Sequence, residues 1–558
     1  MGKIIILLFL AIGLIQTISG GVITHPLQKQ LDSLGLNETI RVIVYLKEHA
    51  DVSHIPVSNK PARVGYLKEF AQKKQRAILQ YAQMLGGLDI KPFWVFNGFA
   101  VTLTADKIPL LAARSEVDYI TCNTVMQLDT LGYGGGIPQP QTQWNIIKVR
   151  ANEVWEMGYR GEGIVVGNMD TGVLVTHEAF GDRWREENGW FDAVEGLPTP
   201  IDEVGHGTHC MGILTGAGPY GIGVAPGAIF IAVRTGKYIG GWNKEDVLEG
   251  FQWVADLASV GQEPDVMSNS WGWTDDFFQG PTLDFWEPIK IWRDLGIIPI
   301  VCIGNKGYMT DLYPWDPGKY PTVIGVGATD ELDERARFSL PGPSRNEPPY
   351  NETYYWSRPD WNLIKPDLMA PGTYDDAGTG IYSAYNNGGY VYLEGTSQAT
   401  PHVAGAIALM QEAAMVNFGH KLDYYDVYDI LIDAANPVGQ TVPNYNYGWG
   451  RLDCKAAVDS VLTFRLKSSS PYALAFNNQH KLVYDPINNR FHLVYQSGQT
   501  FEGRGRYIRY TSSTDGENWT VDQKLGDGDA PSIAVDDAGN VHCIYRDGNT
   551  IKYQKFMH

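Results

Sequence analysis

The sequence predicts an α/β protein in which a parallel-sheet domain is preceded by a small α+β unit and followed by a small all-β unit. In residues 146–462, short and continuously apolar strands alternate with helical stretches, which indicates a parallel sheet covered on both faces. Residues 40–128 follow the order β-α-β-β-α-β. After about residue 463 the pattern changes to short strands of alternating polarity.

Composition and charge exclude several classes of protein. The chain has 558 residues, 44% hydrophobic and 19% charged, so it can bury cores and is neither collagen-like, coiled-coil nor wholly disordered. Its formal net charge of −19 argues against nucleic-acid binding, which needs a basic surface. Residues 21–128 hold 12 Lys and Arg against 9 Asp and Glu, a net of +3, whereas residues 129–558 carry −23. These parts could be two surfaces that fit together, although random drift explains the contrast equally well.

Residues 1–20 are typical of a secretory signal peptide. Lys3 precedes an apolar run from Ile4 to Ile15, and small and polar residues follow up to Gly20. This run is too short to span a bilayer comfortably and no other stretch reaches 18 apolar residues, so we expect a secreted protein with no stable membrane span. The five cysteines are odd in number and far apart, so at least one free thiol is expected.

The α+β unit covers residues 21–128. Its expected elements are a strand at 39–47, a helix at 62–86, two strands within 91–105, a short helix at 105–117 and a last strand from Asp118. This order matches a ferredoxin-like sandwich. The stretch 129–145, rich in Gly, Pro and Gln, is typical of an exposed connection.

The central domain follows in residues 129–462. Its predicted strands are 163–170, 229–234, 265–270, 297–304 and 322–329, and two of its helices are 244–259 and 400–417.

Residues 463–558 contain an internal repeat. Residues 482–496 and 533–546 both run through an Asp, a turn with Asn and an apolar strand with His, and then reach a Tyr. Residues 513–519 resemble the Asp-box hairpin of sialidase-like propellers, which is a structural turn. Two blade-like units cannot close a propeller of four or more blades, so either the chain is truncated or the units pack on the central domain.

Three segments carry residues that could do chemistry. Asp170-Thr171-Gly172 ends a predicted strand, where parallel sheets place ligands, although Asp there is often only a turn former. Residues 205–210 hold two His at a helix start, and these could be a pair of metal ligands or histidines of the core. Zinc is not supported, because the sequence offers no third ligand nearby and no HExxH pattern. Residues 395–402 place Ser397 at the start of a helix, where a serine is usually a cap.

Together the three segments supply the parts of nucleophilic catalysis. Ser397 would attack, His206 would take its proton, and the Asp170 carboxylate would hold the imidazole and stabilise its charged form. A helix N-terminus at Ser397 adds backbone N–H groups for a developing oxyanion. An aspartic peptidase that used Asp170 would need a second Asp-Thr-Gly or Asp-Ser-Gly box, which the sequence lacks.

The three segments resemble the Asp, His and Ser boxes of the subtilases, the subtilisin-like serine peptidases. Residues 303–307 resemble the family segment whose Asn completes the oxyanion hole, which implies this role for Asn305 and substrate binding for Gly304. Residues 268–272 resemble the strand that pairs with the substrate backbone and walls the first specificity pocket, which implies substrate binding by Ser270, Trp271 and Gly272. The stretch 144–172 most resembles the bacillopeptidase F branch.

The resemblance implies a subtilisin-like fold and a secreted serine endopeptidase that hydrolyses proteins or peptides through an acyl-enzyme. Residues 21–128 would be a prosegment that assists folding and then inhibits, with its last strand entering the cleft near residues 125–128 and a mature N-terminus between about 127 and 145. No cofactor is required for this chemistry. Structural calcium is common in such enzymes, but no loop shows a ligand spacing that assigns it. The alternative is a catalytically silent subtilase fold that serves adhesion or glycan binding.

Some features of the chain depart from the family pattern or mark a branch of it. Gln398 stands where many members carry Met. Cys210, four residues after His206, resembles the free Cys of the proteinase K-like branch and is expected to be a small buried residue. Residues 341–363, rich in Pro and aromatic residues, resemble an insertion that forms either a rigid surface loop or a lid at the cleft.

Overall fold

A computed structural model describes most of the chain. The described residues are 20–126, 141–237, 241–274, 283–309, 313–357, 363–374, 380–438, 441–463, 481–497, 507–514, 520, 523–536, 538–547 and 550–556. The predicted signal peptide lies outside them apart from its last residue, as do most of the connection 129–145 and of the Asp-box hairpin.

The N-terminal unit is a five-stranded sheet of order β1-β5-β2-β4-β3 with helices packed on it. Its strands are β1 (Val22–Ile23), β2 (Thr39–Leu46), β3 (Leu88–Phe93), β4 (Gly98–Thr104) and β5 (Val117–Cys122), and its helices are α1 (His25–Ser33), α2 (Lys60–Met84) and α3 (Ile108–Ala112). Strands β2 to β5 give the predicted ferredoxin-like order. Strand β1, parallel to β5, and α1 were not predicted. The helix predicted at 105–117 is shorter, since a 3₁₀ turn (Ala105–Lys107) occupies its start.

The central domain contains a seven-stranded, wholly parallel sheet of order β15-β14-β13-β12-β7-β9-β8. In the chain, a short strand, β6 (Val125–Met126), lies between the N-terminal unit and the first strand of this sheet. It belongs to a separate three-stranded sheet of order β10-β11-β6. The strands that follow are β7 (Val165–Asp170), β8 (Trp190–Asp192), β9 (Ile229–Arg234), β10 (Gly236–Lys237), β11 (Gly241–Asn243), β12 (Val266–Asn269), β13 (Ile298–Cys302), β14 (Ile324–Thr329), β15 (Leu368–Pro371), β16 (Ile381–Ala384) and β17 (Tyr390–Leu393).

Helices cover both faces of the parallel sheet, as its continuously apolar strands predict. They are α4 (Trp144–Lys148), α5 (Ala151–Glu156), α6 (His206–Thr215), α7 (Lys244–Leu257), α8 (Trp286–Asp294), α9 (Thr396–Phe418), α10 (Tyr424–Asp433) and α11 (Cys454–Leu462). One buried cluster joins the sheet to α6, α9, α10 and α11, and a second joins its other face to α7 and α8. Helix α9 begins four residues before the predicted start of 400.

The N-terminal unit docks on α7 and α8. Buried residues of this unit, Ile43 and Phe93 in its sheet and Phe96 in the turn between β3 and β4, belong to the same apolar cluster as Phe251 of α7 and Trp292 of α8. Cations of the unit pair with carboxylates of the central domain: Arg41 with Glu245, Lys60 with Glu263, Lys68 with Asp256 and Lys91 with Glu249. The charge contrast between the two parts of the chain therefore marks surfaces that fit together, as one of the two interpretations predicted.

The C-terminal unit consists of two small antiparallel sheets that share an apolar core. Its strands are β18 (Leu482–Asp485), β19 (Arg490–Ser497), β20 (Tyr507–Ser513), β21 (Gln523–Asp527), β22 (Asp529–Val535), β23 (Val541–Asp547) and β24 (Thr550–Phe556). The unit packs on the central domain through an ion pair of 2.5 Å between Arg509 and Asp426, both buried.

The predicted repeat in this unit has a structural basis. In the first copy Asp485 accepts from the side chain of Asn488 (2.7 Å), and His492 contacts Tyr510 (2.6 Å). In the second copy the corresponding pairs are Asp536 with Asn540 (2.8 Å) and His542 with Tyr553 (2.7 Å). In each copy the Asp–Asn hydrogen bond stabilises the turn, and the His–Tyr contact joins the strand after the turn to the next strand.

Candidate active site

Asp170 is the last residue of β7, at the carboxyl edge of the parallel sheet, and it is fully buried. Its Oδ1 accepts the backbone N–H of Thr171 at 2.7 Å, and the same oxygen lies 2.7 Å from His206 Nδ1. Gly172 follows with a φ of 101°, and a Cβ there would lie 1.9 Å from the carbonyl oxygen of Ile201. The chain can therefore turn away directly after the carboxylate.

His206 is the first residue of α6. Gly205 before it has a φ of 91°, and a Cβ there would lie 2.2 Å from the ring of Tyr385. Burial by itself lowers the pKa of His206, but the Asp170 carboxylate more than offsets this, so the pKa lies well above its ordinary value. Because Nδ1 faces Asp170, Nε2 is the nitrogen that is left to exchange a proton with a substrate or a nucleophile.

Asp202 was not among the predicted site residues. Its buried carboxylate accepts from Thr171 Oγ1 (2.9 Å) and from the Gly205 N–H (2.8 Å) through one oxygen, and from the N–H and hydroxyl of Thr208 (2.8 and 2.6 Å) through the other. Asp202 thus ties the turn after Asp170 to the start of α6. An acidic residue just before a predicted helix start is the signal that could have identified it.

Ser397 is the second residue of α9, after Gly395 with its φ of 152°. Pro401 lies inside the helix and not in its first turn, and it has no N–H to give to the carbonyl oxygen of Ser397. That oxygen instead accepts from Ser270 Oγ at 2.9 Å and from Cys210 Sγ at 3.5 Å. Ser397 Oγ in turn donates to the carbonyl oxygen of Ser270 at 3.1 Å.

Cys210 connects the serine to the histidine. Its Sγ lies 3.9 Å from His206 Nε2 and 3.5 Å from the Ser397 carbonyl oxygen, so both residues border one thiol. Cys210 is buried, as predicted, and burial raises the pKa of its thiol, which keeps it protonated near neutral pH. All five cysteines are free and buried, so the expected free thiol is confirmed.

Asn305 lies beside the start of α9. Its Oδ1 accepts both the N–H of Thr396 (2.8 Å) and the hydroxyl of Thr396 (2.7 Å), which fixes the amide so that Nδ2 is the donor end. A Cβ built on Gly395 would lie 3.3 Å from this Nδ2. The donor therefore lies next to the backbone that leads into Ser397, where a developing oxyanion would need it.

The predicted substrate-binding residues follow β12 and β13. Ser270 exchanges hydrogen bonds with Ser397, and the Gly304 N–H donates to the Thr396 hydroxyl at 3.2 Å, so both border the start of α9. The indole of Trp271 packs in the core against Phe251, so only its backbone is placed to meet a substrate.

Strand β6 runs along this side of the site. Val125 and Met126 pair antiparallel with Asn243 and Trp242 of β11, and the indole of Trp242 meets the His206 ring edge-on at 6.5 Å between centroids. Residues 125 and 126 therefore lie against the strand that carries Trp242, next to His206, which agrees with the expected entry of residues 125–128 into the cleft; residues 127 and 128 lie outside the described residues.

Metal ligands were left unassigned by the sequence. In the described ranges, one group of three or more His, Cys, Asp and Glu could hold an ion, and it consists of Asp170, His206 and Cys210. This group is the candidate proton-transfer pair and its thiol neighbour, and only Asp170 offers the oxygen ligands of which calcium takes about six to eight.

The described helices include none that is long and apolar enough to cross a membrane.

Comparisons with known proteins agree with this fold. The model of the subtilase family matches residues 161–450, and the model of the peptidase inhibitor I9 family matches residues 41–129. The chain belongs to the subtilase family. The predicted family and fold class, including a prosegment before the parallel-sheet domain, are therefore confirmed.

Individual relatives include bacterial proteases. Bacillopeptidase F of Bacillus subtilis (strain 168) is 32% identical over 472 residues, which are 76% of this chain and 30% of that protein. Alkaline serine exoprotease A of Vibrio alginolyticus is 27% identical over 359 residues, 62% of this chain and 58% of that protein. Extracellular basic protease of Dichelobacter nodosus is 26% identical over 491 residues, 78% of this chain and 74% of that protein. The chain thus spans less than two thirds of the first two of these relatives.

Proposed function

We propose that this protein is a serine endopeptidase, made as a zymogen, that hydrolyses protein or peptide substrates through an acyl-enzyme. The observation that carries the proposal is the buried contact of 2.7 Å between Asp170 and His206 Nδ1, with Ser397 at the start of α9 bordering the same Cys210 thiol as His206 Nε2. Its location is extracellular, as the sequence predicted and as the name of the relative from Dichelobacter nodosus states for that protein.

In the acylation step, Ser397 Oγ forms a bond to the peptide carbonyl carbon and its proton passes to His206 Nε2. Asp170 holds the imidazole in the correct tautomer and stabilises its charged form. Asn305 Nδ2 and the Ser397 N–H hold the oxyanion. The tetrahedral intermediate then expels the amine, which takes the proton from His206. A water molecule repeats the sequence and releases the acid. Ser397 Oγ must first leave its hydrogen bond to the Ser270 carbonyl oxygen.

Backbone groups would hold the substrate beside this machinery. Ser270, Trp271 and Gly272 on one side and Gly304 on the other flank the start of α9, where the residue before the cleaved bond must enter. Their short or inward-turned side chains leave the backbone accessible to an extended peptide.

The proposed organisation is a signal peptide at residues 1–20, a prosegment at 21–128, a catalytic domain at 129–462 and a C-terminal β unit at 463–558. The prosegment acts as an intramolecular inhibitor: it docks on α7 and α8, and β6 occupies a groove that a substrate strand would use. We place the mature N-terminus between about 127 and 145. Chemistry needs no cofactor, and calcium would act only on stability.

Expression of residues 21–558 as wild type, Ser397→Ala and Ser259→Ala tests this proposal. Ser259 lies two residues after α7 and donates to the Asp256 carbonyl oxygen, away from the site, so its variant is the matched control. We expect wild type and the control to shed a fragment of roughly a hundred residues and to digest casein, while Ser397→Ala stays whole.

Other results would contradict the proposal. If all three proteins fold, stay whole and leave casein intact, the silent-fold alternative gains, and glycan binding becomes the next assay. If Ser397→Ala sheds the same fragment in a protease-free preparation, Ser397 is not the nucleophile.

A further inference from the structure

Two neighbouring strands, β12 and β13, end beside Ser397, and the space between the segments that follow them is called the crevice. After β12 and β13 the chain continues as residues 270–273 and 303–305, and both segments border the start of α9 through the hydrogen bonds of Ser270 and Gly304. Parallel sheets bind ligands at such carboxyl ends. If the proposed function holds, on which this inference rests, the side chain that precedes the cleaved bond enters this crevice.

Trp315 and Asp316 close the far end of the crevice. The Trp315 N–H donates to the carbonyl oxygen of Ile303 at 3.0 Å, which fastens this segment to one wall. Asp316 exchanges two backbone hydrogen bonds with Trp273, of 2.7 and 2.9 Å, which fasten it to the other wall. The backbone at 315–316 therefore connects both walls of the crevice.

The side chain of Trp315 occupies the space between the walls. A Cβ built on Gly304 would lie 2.5 Å from Cδ2 of the indole. A Cβ built on Gly272 would lie 3.0 Å from Cβ and 3.3 Å from Cε3 of the same residue. Each wall thus has a glycine where it meets Trp315: a side chain at Gly304 would collide with the indole, and one at Gly272 would crowd it. The indole is 7% exposed, so little of the crevice remains open around it.

Neighbouring residues hold this arrangement in place. Asp316 accepts the hydroxyl of Tyr350 at 3.0 Å and pairs with Lys319 at 3.1 Å, and all three are buried. Tyr350 belongs to the insertion 341–363, so this part of the insertion packs inward beside the crevice. Trp315 also shares an apolar cluster with Ile303 and Leu340. Moving the indole aside would break this packing.

We propose that Trp315 determines specificity by filling the deep part of the first pocket, so that the enzyme cleaves after small residues (Gly, Ala or Ser) in preference to Phe, Tyr or Leu. A pocket already filled by an indole has no volume for a second large side chain, and overpacking a rigid site is unfavourable. Even one methylene in an apolar pocket changes kcat/KM by about 10–200-fold. The difference in kcat/KM between a substrate with an aromatic ring and one with a methyl group at this position must reach at least that range.

Peptide p-nitroanilides that differ only in Ala or Phe before the cleaved bond test the proposal. Wild type, Trp315→Gly, Trp315→Phe and Trp253→Ala are compared after titration of active sites with a fluorophosphonate. Trp253 stacks on Phe191 at 5.4 Å and serves as the matched aromatic control. We expect wild type and Trp253→Ala to prefer Ala at least tenfold, Trp315→Gly to gain tenfold or more on Phe, and Trp315→Phe to fall between.

A wild-type preference for Phe overturns the proposal without the need for any variant, so the test does not depend on Trp315→Gly folding. An unchanged Ala-to-Phe ratio in active Trp315→Gly overturns it as well. Wild type that neither labels with fluorophosphonate nor cleaves either peptide contradicts the proposed function itself, and this assignment falls with it.

Discussion

The contact between the prosegment and α7 makes inhibition sensitive to one side chain. Arg41 donates to both carboxylate oxygens of Glu245, at 2.9 and 2.7 Å, with the two side chains 24% and 10% exposed. Hydrogen bonds to charged groups contribute about 1.5–3 kcal/mol each when protected from water. Because Lys91 still lies 3.7 Å from Glu245, Arg41→Ala should cost less than the full pair of bonds. We expect a loss of about 2 kcal/mol, or a roughly 30-fold higher Kd for the bound prosegment.

The assay uses the processed protein, in which the cleaved prosegment stays bound, and measures the activity released on dilution. Lys74→Ala is the matched control, since Lys74 pairs with Glu48 inside the prosegment and both are well exposed. Such a pair is worth about 0–1 kcal/mol, so its Kd should change less than about fivefold. Raising NaCl from about 0.1 M to about 1 M should weaken wild-type inhibition, because the interface pairs are partly exposed. Equal Kd values for Arg41→Ala and wild type would refute the reasoning.

Three further predictions concern the site. Asn305→Ala should lower kcat by about 10²–10³, a magnitude measured on a subtilisin of this same family, with KM little changed; full kcat would remove Asn305 from the oxyanion hole. Activity requires neutral His206, whose pKa is raised, so kcat/KM of wild type should fall as pH drops through a value above the ordinary 6.5 or so. Asp170→Asn should move this acidic fall in kcat/KM to lower pH and cut kcat by about 10⁴. A variant whose activity falls at the same pH as that of wild type would contradict the contact between Asp170 and His206. A mercurial on Cys210, 3.9 Å from His206 Nε2, should abolish activity, while Cys210→Ala should resist it; full activity of a modified wild-type thiol would show that the contact is harmless.

Much of the fold was predictable because its signals are local. Continuous apolar runs predicted the strands of the parallel sheet, and the order of elements predicted the ferredoxin-like prosegment. Strand β1 was missed because two residues carry no period, and it is held only by its pairing with β5. The start of α9 was placed late, since Pro401 is typical of a first turn.

The residues of the candidate site were predictable where a single residue type in a short motif suffices for one catalytic role. Asp170, His206 and Ser397 lie in glycine-rich segments that leave little room for another role. The structure places Asp170 against His206 and brings Ser397 and His206 to the same Cys210 thiol. The contribution of Asp202 depends on five hydrogen bonds that its carboxylate accepts from four other residues, which only the folded chain assembles. Trp315 likewise has no local signal, because what matters is the pair of glycines that it meets in the segments after two different strands.

The central claim is that Ser397 is the nucleophile, activated by His206. We would treat wild type and His206→Ala with a fluorophosphonate and map the adduct by peptide mass spectrometry. The account predicts a single adduct on Ser397 in wild type and labelling slowed by several orders of magnitude in His206→Ala. An adduct on another residue, or labelling at the same rate without His206, would contradict it.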